Sequence, residues 1–317
     1  MIEVDNLTKV YNSTKAIDNV SFTVEKGTIL GFLGPNGAGK TTTMRILTGF
    51  IPATSGTAKI AGYDVHTSSL EVRKRIGYLP ETPPLYPDLT VKEFLGFVAK
   101  IKGIPAGDRS SKIQKALECC QIKDKENVII RKLSKGYRQR VGIAQAIVHD
   151  PPVIILDEPT VGLDPRQIIE VRNLIKSLAG ERTVILSTHI LPEVSMICDL
   201  VTIISKGKII ATNTPEGLQH ELEPEAGYEL EVEGDTSKLK AKLTQISGIK
   251  TITINPMEGK ENRFLVSVTS ETNYDHGRDI ASMIVYQGLG LYEMKRIRPS
   301  LEDVFLELTM KEDVVEL

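Results

Sequence analysis

A chain of 317 residues, 41% hydrophobic and carrying a net charge of -2, has apolar content for two folded domains and no general attraction for nucleic acid or anionic lipid. Its hydrophobic residues never run together for the ~20 positions a membrane span requires, and the opening MIEVDNLTKVY alternates like a strand without the apolar centre of a signal peptide. The expectation is a protein on the cytosolic side that reaches a membrane only through a partner.

In chain order, Val20, Phe22 and Val24 mark one half-buried face of an early strand. The apolar run Thr28 to Leu33 ends in GPNGAGKT, Gly34 to Thr41, and a helical pattern from Lys40 to Leu47 follows. Strand, glycine-rich turn and helix in that order are what a phosphate loop requires. Gly34, Gly37 and Gly39 let backbone N–H groups approach phosphate, and Pro35, Asn36, Ala38 and Thr42 complete the segment. Lys40 would bridge the β- and γ-phosphates of ATP, and the Thr41 hydroxyl would bind Mg²⁺.

From Pro80 the character changes. Pro80, Pro83, Pro84 and Pro87 stiffen an exposed connection, and Thr90-Val91-Lys92-Glu93 reads as a capping box opening a helix. Helical patterns then run from Lys112 to Cys120 and from Gly136 to Val148, the second with Ser134 as its N-cap. Together these make a helical insert of about 82–147 in an α/β core. Ile113, Ala116, Leu117 and Cys120 share one helical stripe, so Cys120 is a core position. With no CxxC pair, Cys119, Cys120 and Cys198 are read as structural thiols of a reducing compartment.

The core resumes with a strand from Val153 to Asp157. Asp157 ends it, where a buried carboxylate can hold Mg²⁺ through water; Glu158 is the candidate general base, or else an ordinary charged strand end or helix cap. A helix from about Arg166 to Ala179 follows Asp164 and Pro165, which suit its N-cap and first turn. A strand from Thr183 to Ser187 and a hairpin, Leu200 to Ser205 with Lys208 to Ala211, close this part. After an acidic linker, 221–227, the order strand, helix, strand, strand, helix, strand predicts a small ferredoxin-like α+β domain over 228–317.

The phosphate loop, the helix start Leu133-Ser134-Lys135-Gly136-Tyr137 and the strand VIILDEP (Val153 to Pro159) come in the order of one motor family. Residues 1–220 resemble the nucleotide-binding subunit of ATP-binding-cassette (ABC) transporters. The resemblance implies a P-loop NTPase cassette with a RecA-like core, an antiparallel β-subdomain and the helical insert. It implies that Tyr11 stacks on adenine, and that His189 is the switch histidine holding γ-phosphate. Ser134 and Gly136 would complete the site of an opposite subunit in trans, with Asp164 at the dimer seam. Glu81 stands where the family usually has a metal-binding glutamine, and Lys135 and Tyr137 depart from the common LSGGQ form. RPSLEDVFLELT, Arg298 to Thr309, resembles the tail of exporter-type subunits.

The expected function is therefore ATP hydrolysis coupled to transport, with catalytic residues Lys40, Glu158 and His189 and with ATP and Mg²⁺ bound. Expected partners are a second copy or a paralogous ATPase subunit in a head-to-tail dimer, and a multi-span permease that fixes the protein to the inner face of the membrane, with no nucleic acid. A soluble ABC ATPase of translation or DNA maintenance is the alternative, but such proteins carry tandem cassettes or a long coiled coil, and sustained heptads are missing here. A GTPase would need an Asn-Lys-x-Asp motif, which is also missing. A fold that only binds nucleotide is disfavoured by Lys40, Asp157, Glu158 and His189. The transported substrate is not written in this subunit.

Overall fold

Alternation at the N-terminus becomes a long hairpin: β1 (Ile2–Tyr11) pairs antiparallel with β2 (Thr14–Val24). The computed structural model describes residues 1–221, 226–257, 259–260, 262–270, 275–297 and 305. The next elements are β3 (Ile29–Leu33), α1 (Lys40–Leu47), β4 (Ser55–Ile60), β5 (Tyr63–Asp64), α2 (Ser69–Arg75) and β6 (Ile76–Leu79). Then come α3 (Val91–Ile101), α4 (Ala106–Cys119), α5 (Lys135–Ile147), β7 (Val153–Asp157), α6 (Pro165–Leu178) and β8 (Thr183–Thr188). The remainder is α7 (Leu191–Ile197), β9 (Leu200–Ser205), β10 (Lys208–Asn213), α8 (Pro215–Glu221), β11 (Ala226–Glu233), α9 (Leu239–Leu243), β12 (Ile249–Pro256), β13 (Arg263–Ser270), α10 (Gly277–Tyr286) and β14 (Gly290–Ile297).

The chain divides into two compact units, Met1–Pro215 and Glu216–Val315. The first holds two sheets. One is antiparallel, in the order β2-β1-β4-β5. The other runs β10-β9-β3-β8-β7-β6, parallel from β9 through β6, with β10 folded back on β9. Every residue of β3 and β7 is buried, as strands of a parallel sheet covered on both faces must be. Phe22 of β2 and Phe32 of β3, ring centroids 5.4 Å apart, join one shared core that also takes in Ile2, Leu7 and Met44. The β9–β10 hairpin turns at Lys206 and Gly207, both with positive φ (44° and 82°), the geometry a two-residue turn needs.

The helical segment from α3 to α5 opens with the capping box: the Thr90 side chain accepts from Glu93 N at 3.2 Å, and Glu93 accepts from Thr90 N at 2.8 Å. Helix α4 begins at Ala106, earlier than the apolar pattern from Lys112 predicts. Pro105 stands at its N-cap, where the missing N–H costs nothing, so a residue that reads as a breaker starts the helix. Cys120 is fully buried with Ile113, Ala116 and Leu117, and Cys119 lies half-buried beside that stripe.

The second unit is a four-stranded antiparallel sheet, β12-β13-β11-β14, with α9 and α10 supplying Leu239, Leu243, Ile280 and Ile284 to its core. That order is the split β-α-β arrangement read from the sequence. Its first strand starts at Ala226, so Ala226 and Gly227, expected in the linker, pair instead with Ser270 and Thr269. The tail Arg298 to Thr309 lies, apart from Phe305, outside the described residues. Among the described residues no helix is long and apolar enough to cross a membrane.

Candidate functional site

Strands β3, β7 and β8 end side by side, and a cavity of about 510 Å³ opens at their C-terminal ends. Parallel sheets bind ligands at this edge because the loops leaving the strands, and the helix N-termini that follow, converge there. Asn36, Gly37 and Gly39 line it from the loop between β3 and α1, and Lys40, Thr41 and Thr42 from the first turn of α1; Glu81, Glu158 and His189 line it from the other loops. Gly39 has φ of 108°, and a Cβ there would stand 2.7 Å from the Ala16 carbonyl oxygen, so the turn into α1 admits only glycine.

Lys40 is 6% exposed. Its ammonium donates to Gly34 O at 2.7 Å and Pro35 O at 3.1 Å, and lies 3.4 Å from Glu158 Oε1. The other Glu158 oxygen meets His189 Nδ1 at 2.9 Å. Glu158 thus spans Lys40 and His189. Its backbone is held in the left-handed region, φ 49°, by N–H bonds to Ser187 O at 3.0 Å and Ser187 Oγ at 3.1 Å. A non-glycine residue in that region costs energy, and such strain gathers at functional positions.

Asp157 is 1% exposed. Its Oδ1 accepts from the hydroxyls of Thr41, at 3.3 Å, and Ser187. Its Oδ2 is buried with no hydrogen-bond partner among the described residues. Burial pushes the Asp157 carboxyl above the usual carboxylate range; the charges of Glu158 and Glu81 act the same way, against the hydroxyls of Ser187 and Thr41. A cation beside that oxygen would offset both the burial and the repulsion from Glu158 and Glu81.

Not every expected residue meets at this cavity. Tyr11, at the end of β1, is 45% exposed and is not among the lining residues; Lys9 Nζ lies 5.1 Å from its ring centroid. Ser134, Gly136 and Asp164 lie elsewhere too. Ser134 caps α5 by accepting from Tyr137 N at 3.3 Å, and Asp164 caps α6 by accepting from Gln167 N at 3.0 Å, with Pro165 in the first turn. The two caps are linked: a Cβ on Gly136 would sit 2.4 Å from Gln167 Oε1, so the start of α5 packs directly on the first turn of α6. The Lys135 ammonium fills the space a Cβ on Gly162 would need.

Ala16, Val161 and Ser187 are site residues that the sequence reading passed over. Ser187 carried a legible signal, a hydroxyl near the end of a buried apolar strand. Ala16 and Val161 carried none, because they reach the cavity only through the packing of β2 and of the turn after Glu158.

The profile of the family described as ABC transporter matches residues 17–161. The chain is 35% identical to the ABC transporter ATP-binding protein YhcH of Bacillus subtilis (strain 168), over 99% of this chain and 98% of the relative. It is 32% identical to the Nod factor export ATP-binding protein I of Ralstonia nicotianae, over 98% of this chain and 94% of that one. Among solved structures, an ATP-binding subunit of an ABC transporter superposes with a TM-score of 0.64 at 30% identity, covering 70% of this chain and 92% of that one. The dimeric post-hydrolysis cassette MJ0796, bound to ADP and phosphate, does so with a TM-score of 0.62 at 25% identity, covering 68% and 98%. Identity of this order along the full length of both chains, on a fold whose cavity carries the phosphate loop, means that the protein belongs to the ABC transporter ATP-binding proteins and is the ATP-hydrolysing subunit of a transporter.

Proposed function

We propose that this subunit powers an exporter: ATP closes two copies, or this chain and a paralogue, around two composite sites, and hydrolysis reopens them to drive a separate multi-span permease. The observation that carries the chemistry is Glu158 held between Lys40 and His189 in the wall of the cavity. The exporter reading is supported by the full-length likeness to a Nod factor export protein.

Lys40 is paired with Glu158 at 3.4 Å. A γ-phosphate entering the loop competes for that ammonium and draws it off the carboxylate. The freed Oε1 becomes an acceptor for the attacking water, while His189 holds Oε2 and keeps the carboxylate oriented. The backbone N–H groups of the loop and the start of α1 stabilise charge on the phosphates without reorganising. Tyr11, exposed at the end of β1, is the residue for the adenine ring, once the base extends beyond the phosphate cavity.

The donor set suits Mg²⁺. Asp157 offers a buried oxygen with no partner among the described residues, Thr41 a hydroxyl beside it and Glu81 a further carboxylate on the cavity wall. When bound, Mg²⁺ would neutralise charge on the β- and γ-phosphate oxygens.

Ser134 and Asp164, exposed at the starts of α5 and α6, are the residues that would meet a partner's nucleotide, with Gly136 packed on Gln167 behind them. The dimeric neighbour bound to ADP and phosphate supports that reading. Purification of the tagged protein from native membranes in mild detergent tests the whole proposal. A multi-span protein should travel with the wild type and be weakened by substitutions from Glu81 to Tyr86. Recovery with ribosomes or nucleic acid, and no membrane partner, would overturn it.

A further inference from the structure

We propose that Glu193 is a positioning residue for His189, acting through the hydroxyl of Thr188. The inference rests on the reading of His189 as the group that keeps the Glu158 carboxylate oriented. His189 lies between the end of β8 and the start of α7. Thr188, fully buried, accepts from Ile190 N at 3.0 Å and donates to Glu193 Oε2 at 2.9 Å. The residue before His189 is thereby tied both to the residue after it and to α7. These bonds close a tight loop with His189 at its tip, and the ring reaches Glu158 Oε2 at 2.9 Å.

Packing does not account for Glu193. It is 1% exposed, and its second oxygen is buried with no hydrogen-bond partner among the described residues. A leucine would fill that volume without the penalty of desolvating a carboxylate. The bond that Glu193 does make goes to the hydroxyl that fixes the backbone around His189. A charged acceptor holds a hydroxyl more tightly than a neutral one. The buried glutamate therefore sets the rotamer of Thr188, Thr188 sets the turn, and the turn sets where the imidazole stands.

Steady-state ATP hydrolysis by T188V, T188S, E193A, E193Q and H189A tests the relay. Thr188→Val keeps the side-chain volume and removes the hydroxyl; it should lower kcat by up to about 100-fold, the cost of a misplaced catalytic group, with KM unchanged. Glu193→Ala should do the same. Thr188→Ser and Glu193→Gln keep a donor and an acceptor and should recover most of the rate. In the His189→Ala background, Glu193→Ala should add almost nothing, because the two residues act as one unit. Should Glu193→Ala fail to fold, the Thr188→Val and Thr188→Ser pair reads the same contact. Wild-type turnover by T188V and E193A beside an impaired H189A would overturn the relay and leave His189 in place. Full turnover by H189A would overturn the relay together with the reading it rests on.

Discussion

Two aspartates bracket strand β7, and the fold treats them in opposite ways. Asp150 stands just before the strand and Asp157 ends it. Asp150 is met by Arg182, by Lys112 at 3.0 Å and by Lys115 at 4.0 Å. Arg182 foremost, with Lys112, holds its carboxyl down to about 2. Among the described residues no cation pairs with Asp157, and burial pushes its carboxyl up. The same contrast runs along the sheet. At the end where strands begin, charges are paired at the surface; at the end where they finish, Lys40, Asp157 and Glu158 are buried together, with an open oxygen and a strained backbone. A fold built for stability alone would not leave that edge so, and the unmet interactions are those a charged ligand completes.

The comparison can be pressed hardest at the edge that binds ligand. Glu158→Gln should retain ATP binding and lose about 10²–10⁴ in phosphate release; near-normal turnover would remove Glu158 as the base. Asp157→Asn should also abolish turnover, yet it relieves a buried charge, so the nucleotide-free protein should melt about 2–4 °C higher. A lower melting temperature in scanning calorimetry would mean that Asp157 stabilises its edge as Asp150 does.

The opposite edge gives smaller effects. His149 donates Nε2–H to Ile76 O at 3.0 Å, and burial, helped by Lys102, lowers its pKa from 6.5 to about 4. The folded ring stays neutral where the unfolded ring takes up a proton. Stability should therefore be complete above pH 6.5 and fall between there and pH 4, with a slope approaching about 1.4 kcal/mol per pH unit. His149→Gln should flatten that limb in denaturant titrations. Smallest of all, Asp150→Asn should cost under about 1 kcal/mol, since the carboxylate is 37% exposed and its pairs are screened by solvent. Its contribution is present above the ordinary aspartate range and is lost as pH falls toward 2. Turnover unchanged in Asp150→Asn, with both effects small, would keep the two edges distinct; a large loss of activity would merge them.

Local chemistry was legible in the chain. The capping box at Thr90 and Glu93, the caps at Ser134 and Asp164, and the turn at Lys206 and Gly207 each depend on residues within four positions of one another. Pattern alone misplaced the start of α4, because a proline at an N-cap and a proline within a helix look alike until the helix is present. The acidic stretch before Tyr228 read as linker, but strand pairing reaches back to Ala226, a decision made by the partner strand β13.

By itself the sequence determined which side chains are proposed to carry the chemistry: the phosphate loop with Lys40 and Thr41, the carboxylates Asp157 and Glu158, and His189. Residue type and short spacing on single strands and turns point to the loop and the two carboxylates, while His189 rests on the family resemblance. Only the tertiary structure decided that Glu158 lies between Lys40 and His189, that Ser187 shares Asp157 with Thr41, and that a buried Glu193 braces the turn at His189. The physical reason is the parallel sheet. It brings together the ends of strands far apart in the chain, and a side chain's partner there depends on which strands are neighbours.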